Sequence, residues 1–306
     1  MRKIFTAVFG LLFFICSSIC SAYAPEGKLF VTMLDIGQGD AFLIETPTQN
    51  ILIDTGDVDQ RNKLVERLKG SGFEHFERII LTHPHADHIG GISAVLKNFT
   101  VDEISDNGII SKSPLYTDYH SADVKFSTLK TGDIIDLGGG VKFKVLYPSP
   151  AIVKDVNAGN QKSSPNNESI VGKLIFGDFS MLFTGDAEKF AEDALYQNFN
   201  TELKSTVLKA GHHGSKTSST ADFISVVAPD YVFISAGYKN KFGHPHKESL
   251  KTYREFFVLP EKIFCTAFNG SVRIESDGKN NIVLVEHEAD WVVDYTNQII
   301  TVTRLD

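Results

Sequence analysis

The residues best suited to chemistry lie in one short stretch, residues 82–91, which reads Thr-His-Pro-His-Ala-Asp-His-Ile-Gly-Gly. Three histidines and one aspartate fall within it, between an apolar run and a glycine pair. Imidazole and carboxylate groups are common ligands of divalent metals in proteins. The stretch therefore predicts a metal site.

The spacing within this stretch predicts two neighbouring ions. Pro84 favours extended backbone at His83, and residues two apart on an extended segment face one side, so His83 and His85 can bind one ion. Asp87 fits the first turn or cap of a helix, which would direct Asp87 and His88 toward a second ion. The alternative interpretation is a helix N-terminus with solvated histidines.

Apolar runs typical of strands precede most of the other candidate residues. In sheet-and-helix folds, functional groups usually follow the ends of strands. A buried strand is predicted over 78–81, directly before the histidine stretch. The other runs and the residues that follow them are 51–53 before Asp54, 181–183 before Asp186, 206–208 before Lys209, Ser215 and Lys216, and 231–234 before His244 and His246.

The middle of the chain has weaker patterns. Residues 113–119 are predicted to form a surface loop. Residues 148–167, rich in Ser, Asn, Lys and Pro, indicate a long loop over or beside the site, or else a disordered insertion.

The N-terminus has the pattern of a secretory signal peptide, residues 1–24. Two cations precede an apolar run over 4–19, and cleavage is expected after Ala22 or Ala24. Pro25 directly follows Ala24, which favours Ala22. The alternative is an uncleaved membrane anchor, although the run is slightly shorter than the ~20 residues that a span needs. We expect an exported protein, periplasmic or extracellular, with no membrane span after processing.

Length and composition indicate one large α/β domain over 25–286 and a C-terminal extension over 287–306. The formal net charge is −8, and it becomes −10 once the two cations of the signal segment are removed. This balance excludes a general polyanion-binding protein, so affinity for nucleic acid would require local patches or bound metals. Cys265 lies in an apolar run and is predicted to be a buried structural thiol.

Taken together, these stretches resemble the metallo-β-lactamase superfamily, whose hallmark is His-x-His-x-Asp-His followed by a bridging aspartate and a last histidine. The chain is most similar to the C-terminal metallo-hydrolase domain of ComEC-type competence (DNA uptake) proteins, over about residues 29–275. The stretches that carry this resemblance are 34–40, which reads Leu-Asp-Ile-Gly-Gln-Gly-Asp, 83–91, 182–186, 211–219 and 243–246.

The resemblance implies an αββα fold, in which two mixed sheets pack face to face with helices outside and the metals at one edge. It also implies two divalent ions, zinc or manganese, bridged by Asp186. His83 and His85 would bind the first ion, and Asp87 and His88 the second.

Two further ligand questions follow from the resemblance. One of His212 and His213 would complete the second site, and the sequence alone leaves both open. Asp54 matches the aspartate that usually supports the ligands from behind.

The first site departs from the pattern of many superfamily hydrolases, which have another histidine before the bridging aspartate. Here only His120 lies in that interval, within a predicted loop. ComEC-type proteins are similar instead to Asn-Asn-Glu-Ser at 166–169, which places Asn167 behind the ligands. An oxygen-rich ion such as Mn²⁺ would suit this first site better than a fully nitrogen-ligated Zn²⁺.

A two-metal hydrolase lowers the pKa of a shared water from ~15.7 toward ~7 and neutralises charge that develops on a phosphoryl or carbonyl oxygen. The residues expected to serve catalysis are Asp87, Asp186, His244 and His246. The residues expected to bind substrate at the rim are Lys209, Lys216 and Ser215, although solvated surface lysines are the alternative interpretation.

The function predicted from these residues is an exported metal-dependent hydrolase of phosphodiesters, acting on a small molecule or on nucleic acid as a nuclease. Two alternatives stay open. One is an envelope hydrolase of amide, thioester, lactone or phosphocholine bonds, and the other is a non-catalytic binding protein that retains the fold.

Overall fold

The computed structural model describes residues 23–160, 164–256, 258–294 and 299–304. The predicted signal segment lies outside the described residues up to residue 22. Within the described ranges, no helix is both long enough and apolar enough to span a membrane.

Runs of β-branched and aromatic residues form a first mixed sheet, as their strand preference requires. Its strands carry labels in chain order, and their spatial order is β17 (Asn281–Val285), β16 (Val272–Ser276), β1 (Leu29–Met33), β2 (Phe42–Glu45), β3 (Asn50–Ile53), β5 (Arg78–Ile80), β7 (Glu103–Asp106) and β8 (Lys125–Thr128). Pairing is antiparallel from β17 to β3 and parallel from β3 to β8.

A second mixed sheet has the same division into two halves. Its strands in spatial order are β15 (Ile263–Cys265), β14 (Tyr231–Ile234), β13 (Val207–Lys209), β12 (Phe179–Phe183), β11 (Val171–Phe176), β10 (Lys142–Tyr147) and β9 (Ile134–Asp136). Pairing is parallel from β15 to β12 and antiparallel from β12 to β9.

Two small strand pairs accompany the large sheets. β4 (His75–Phe76) pairs in parallel with β6 (Thr100–Val101), and β18 (Ala289–Asp294) pairs antiparallel with β19 (Ile299–Arg304). The second pair belongs to the predicted C-terminal extension. The domain boundary at residue 286 stays a prediction.

Helices cover the outer faces of both sheets. The first sheet packs against α1 (Arg61–Gly70), α3 (Ile92–Asn98) and α4 (Pro114–His120), and the second against α6 (Lys189–Phe199), α7 (Ala221–Val227) and α8 (Lys247–Glu255). Three further short helices are α2 (Ala86–Ile89), α5 (Pro150–Asn157) and α9 (Thr266–Asn269).

The central core lies between the two sheets. Phe183 on β12 packs edge-on against Phe42 on β2, with ring centroids 5.4 Å apart, and lies 6.2 Å from Phe143 on β10. Burying each such ring contributes roughly 1.5–3 kcal/mol. The four layers, helix, sheet, sheet and helix, confirm the predicted αββα fold.

Two loop predictions are corrected. The surface loop over 113–119 is wrong, because Pro114 starts α4 and Tyr119 is buried against the first sheet. The long loop over 148–167 contains α5, whose first turn is capped by Ser149, and a 3₁₀ turn over Pro165–Glu168. Residues 161–163 of that segment lie outside the described residues.

Candidate metal centre

Side chains that follow strands of both sheets meet at one edge of the molecule. From the first sheet, Asp54 follows β3 and the histidine stretch follows β5. From the second sheet, Asp186 follows β12, and His212 and His213 follow β13. Because the strands within each parallel half end at the same edge, packing of the two sheets brings both sets of side chains together.

Three of these residues have left-handed backbone conformations. The φ angles are 59° at Asp54, 47° at His212 and 55° at His213. Such conformations cost of order 1–3 kcal/mol each in residues other than glycine and persist only where the surroundings hold them. At Asp54 the backbone N–H donates to Ile80 O over 2.9 Å. The left-handed backbone at these three residues sets the directions in which their side chains point.

Two glycines allow other backbone segments to contact the histidine stretch. A Cβ on Gly39, where φ is 118°, would lie 2.3 Å from Asp87 O, and one on Gly91 would lie 2.2 Å from Thr55 O. Thr55 N in turn donates to His88 O over 2.6 Å. Larger residues at either glycine would displace the candidate ligands.

One tight cluster consists of four candidate ligands. Nitrogen and oxygen atoms of Asp87, His88, Asp186 and His213 all lie within 4.8 Å of one another. His88 Nε2 is 3.2 Å from Asp186 Oδ1, and His213 Nε2 is 3.3 Å from Asp87 Oδ2. His88 Nε2 and Asp186 Oδ1 are buried without a hydrogen-bond partner.

Buried polar atoms without partners are rare, and an ion between them removes the desolvation cost. Two imidazoles and two carboxylates form a donor set that suits Zn²⁺ or Mn²⁺. The residues therefore fit a divalent metal. The structure places His213, and not His212, in this cluster, a choice that the sequence left open.

Contacts behind the cluster orient both imidazoles. His88 Nδ1 donates to Asp54 Oδ2 over 2.7 Å, and Asp54 accepts from the backbone N–H and the hydroxyl of Thr82, both at 2.7 Å. His213 Nδ1 donates to Ser235 O over 2.8 Å. With each Nδ1 engaged, Nε2 of both rings points into the cluster, as a metal ligand must.

The cluster attracts cations strongly. Burial lowers the pKa of His213, but the carboxylates of Asp186 and Asp40 raise it, to about 10 overall. Burial likewise lowers the pKa of His88, yet Asp186 and Asp54 raise it well above its ordinary value. A divalent ion competes with protons for this negative potential, so metal binding here is coupled to proton release.

A second group of imidazoles faces the same carboxylate, Asp186. His83 Nε2 lies 3.9 Å and His212 Nε2 3.8 Å from Asp186 Oδ2, and His83 Nε2 is 3.1 Å from His85 Nδ1. Burial, reinforced by His88, holds the pKa of His83 well below its ordinary value, and burial also lowers that of His85. Neutral rings have the free lone pair that a metal ligand needs, so this group fits a second ion next to the first.

Ser169 and Asn167, from the segment directly before β11, lie next to the histidines around Asp186. Ser169 Oγ lies 3.2 Å from His83 Nδ1 and accepts from Asp186 N over 3.0 Å. Asn167 supports His212 indirectly, through Glu188. Its side-chain amide donates to Glu188 Oε2 over 3.2 Å, and Glu188 Oε1 lies 3.2 Å from His212 Nδ1. This segment therefore orients the histidines near Asp186.

His120 is directed away from this group. Its Nε2 lies 2.9 Å from Asp106 Oδ2, and its ring stacks on Phe126 with centroids 4.4 Å apart. These contacts explain its position at the end of α4 without a metal.

Lys209 occupies a position that the sequence did not predict. It was expected at the rim, but it is 1% exposed, and its Nζ lies 2.6 Å from Asp40 Oδ2 and 3.7 Å from Asp186 Oδ1. The rim position is therefore wrong, because an acidic partner inside the fold compensates the desolvation of the ammonium group.

Asp40 is the site residue that sequence reasoning missed. It is 1% exposed and its Oδ1 lies 3.3 Å from His213 Nδ1. Burial raises its pKa, but Lys209 and His213 lower it, to about 2 overall. The only sequence signal was an acidic residue that ends the Gly-Gln-Gly turn directly before an apolar strand.

Of the other residues expected at the rim, Ser215 and His246 make contacts within the loops, and Lys216 is exposed. Ser215 is 3% exposed and its hydroxyl pairs with Thr217 Oγ1 at 2.9 Å, so its expected role as a rim contact is corrected to support of the loop. His246 Nδ1 accepts from the backbone N–H of Lys216 over 3.0 Å. This hydrogen bond joins the loop over residues 209–220 to the loop over residues 235–247. The Lys216 side chain itself is exposed.

His244 is the rim histidine that faces the metal centre. Its ring centroid lies 5.4 Å from that of His212, and its Nδ1 is buried without a hydrogen-bond partner. Burial, then the neighbouring His213 and His212, lower its pKa to about 3. A neutral ring with one free nitrogen is suited to contact a substrate oxygen.

Sequence comparison identifies the class of protein. Residues 34–238 match the family described as the metallo-beta-lactamase superfamily, and the chain belongs to that superfamily. It is thus a metallo-β-lactamase-fold hydrolase with a candidate site for divalent metal.

Similar proteins relate the chain to one group within this superfamily. The chain is 32% identical to competence protein ComA of Neisseria gonorrhoeae, over 72% of this chain and 29% of ComA. It is 30% identical to ComE operon protein 3 of Bacillus subtilis (strain 168), over 88% of this chain and 34% of that protein. The chain therefore spans about a third of the length of these relatives, and the predicted resemblance to competence proteins is confirmed.

A solved structure supports the fold. The metallo-beta-lactamase fold protein YhfI from Bacillus subtilis aligns with a TM-score of 0.51 at 12% identity, over 81% of this chain and 99% of YhfI. This likeness shows the shared fold.

The assignment of His213 predicts different effects for two adjacent histidines. His213→Ala should weaken Zn²⁺ binding by more than ~100-fold, because residues merely behind metal ligands are already worth ~10–100-fold. His212→Ala is the comparison and should have a smaller effect, because His212 lies outside the cluster of four ligands. Titration calorimetry of metal-free protein measures both. Equal losses, or a larger loss for His212→Ala, would contradict the assignment.

Proposed function

We propose that this hydrolase cleaves phosphodiester bonds with two divalent ions, zinc or manganese, on either side of Asp186. The observation that carries the proposal is the convergence of Asp87, His88, Asp186 and His213 beside the second histidine group. When bound, such ions supply an activated water and neutralise charge on the reacting phosphoryl oxygen. The chain's own residues position and select the substrate.

The protein leaves one side of the cluster open. Side chains of His88 and Asp186 are at most 2% exposed, whereas those of Asp87 and His212 are 23% and 25% exposed. Ser169 and Lys209 hold Asp186 from the buried side. A substrate therefore approaches past Asp87 and His212, toward the neutral ring of His244.

The charge around this opening favours a phosphate group. The two rim loops, residues 209–220 and 235–247, contain no aspartate or glutamate, although the chain as a whole has a formal net charge of −8. They contribute several lysines, among them the exposed Lys216. Such a local excess of positive charge raises the concentration of anionic substrates at the site.

Relatives support a nucleic-acid polymer as the substrate. ComA is a competence protein by name, and the sequence resembles the hydrolase domain of proteins of DNA uptake. Because this chain spans only about a third of each, their activity as whole proteins extends to this chain only as a proposal.

Hydrolysis of bis(p-nitrophenyl) phosphate tests the reaction. The protein loaded with Mn²⁺ or Zn²⁺ should release p-nitrophenol, and Asp186→Asn should lower kcat at least ~100-fold, since even residues behind the ligands are worth ~10–100-fold. The matched control is Asp178→Asn, an exposed aspartate at the opposite end of the same strand β12.

Two results would contradict the proposal. One is no hydrolysis with either metal, and the other is identical rates for Asp186→Asn and Asp178→Asn. Turnover of a lactone, thioester or β-lactam in place of the diester would favour an envelope hydrolase of another bond.

Export through the N-terminal segment is the second part of the proposal. The hydroxyl of Tyr23 donates to Glu77 Oε1 over 2.7 Å, and Ala24, which is 4% exposed, donates its N–H to Thr46 O over 3.0 Å. Cleavage after Ala22 retains both contacts, whereas cleavage after Ala24 removes them.

Sequencing of the exported chain should therefore give Tyr23 as its first residue. Ala22→Leu should leave the precursor unprocessed, because the cleavage site requires a small residue at that position. A chain that starts at Pro25, or a wild-type chain that stays unprocessed in the membrane fraction, would contradict this part of the proposal.

A further inference from the structure

The rim loop over residues 237–246 exposes aromatic side chains beside the metal centre. Tyr238 is 66% exposed and Phe242 is 48% exposed. An ammonium group lies over each ring: Lys239 Nζ is 5.2 Å from the ring centre of Tyr238, and Lys241 Nζ is 5.0 Å from that of Phe242. Exposed rings grouped in this way mark an interaction surface rather than a core.

Asn240 holds this loop in shape. Its side-chain amide donates to Gly237 O over 2.9 Å and to His244 O over 2.6 Å. Its Oδ1 accepts from the backbone N–H groups of Phe242 and His244 over 3.2 and 3.0 Å. The two rings are thus presented by a pre-organised backbone, which reduces the entropy lost on binding.

Ring contacts connect Phe242, through His244, to His213 of the candidate metal centre. Phe242 stacks on His244 with centroids 5.6 Å apart and planes at 21°, and His244 lies 6.1 Å from His213 with planes at 29°. Tyr238 follows Gly237, whose N–H donates to Gln38 Oε1 over 3.1 Å at the base of the loop. A polymer that crosses this surface would reach the ligand cluster.

Alternating aromatic and basic residues suit one kind of polymer. Unpaired bases stack on aromatic rings, and neighbouring lysines contact the phosphates. Paired bases in a duplex have their faces covered, and a neutral polymer would gain nothing from the lysines. We infer that residues 237–246 bind single-stranded nucleic acid by stacking its bases on Tyr238 and Phe242. This inference rests on the proposed phosphodiester hydrolysis and names its substrate class.

Equilibrium binding of fluorescein-labelled dT12 tests the inference without turnover. Measurements use the full chain with Asp186→Asn, so that cleavage does not interfere. Adding Tyr238→Ala or Phe242→Ala should raise the Kd for dT12 about fivefold or more, the lower limit for loss of one stacked base. Tyr238→Phe retains the ring and should retain the affinity. An abasic strand of equal length should bind more weakly than dT12 and should be insensitive to both alanine substitutions.

Matched controls come from the opposite end of the sheets. Ile282, which is 61% exposed, and Lys279 lie at the turn near Gly278, whose carbonyl accepts from Asp178 N where β12 begins. Ile282→Ala should leave the Kd unchanged. Lys239→Gln and Lys241→Gln should each reduce the slope of log K against log salt by about 0.7, as expected per phosphate contact of a single strand. Lys279→Gln should not change it.

Three results would overturn the inference: equal affinity for dT12 and the abasic strand, unchanged affinity after Tyr238→Ala and Phe242→Ala, or an equal loss for Ile282→Ala. A duplex that binds as tightly and responds equally to the alanine substitutions would overturn the restriction to single strands. Hydrolysis of bis(p-nitrophenyl) phosphate by the wild-type protein reports the proposed function separately. If that hydrolysis occurs while the ring substitutions have no effect on dT12, only this inference fails.

Discussion

The concentration of buried negative charge at one edge of the two sheets is the constraint on which the site depends. Three aspartates there are each at most 1% exposed: Asp40, Asp54 and Asp186. Burial alone would raise the pKa of each, since a buried carboxylate without compensation costs several kcal/mol, but nearby cationic groups hold the pKa values of Asp40 and Asp186 below their ordinary range. Lys209 offsets part of this charge, and the imidazoles of His88 and His213 offset more. The remaining attraction for cations is what makes this edge a candidate metal centre.

Much of this arrangement could be predicted from the sequence, because its strongest signals are local. The histidine stretch is contiguous, and the apolar runs before Asp54 and Asp186 mark strand ends directly; the αββα class came from the resemblance that these stretches carry. The choice between His212 and His213 could not be predicted. Two consecutive left-handed residues break the alternation of a strand, and only the folded backbone shows which ring joins Asp87 and His88 at Asp186.

Long-range pairing explains what the sequence analysis missed. A lysine after a strand normally indicates the surface, but Lys209 is buried because Asp40, from a distant part of the chain, compensates it. Ser215 and His246 have polar side chains that suggested substrate contact, yet both accept hydrogen bonds from the loop backbone. Such support roles depend on contacts between loops, and those contacts leave no periodic signal in the sequence.

An anomalous-scattering measurement on crystals grown with Mn²⁺ or Zn²⁺ tests the central claim most directly. Two peaks are expected on either side of Asp186, one within ligand distance, ~2.0–2.2 Å, of Asp87, His88 and His213. The other should lie beside His83 and His85. A peak bound by His212 in place of His213, or the absence of any peak at Asp186, would contradict it.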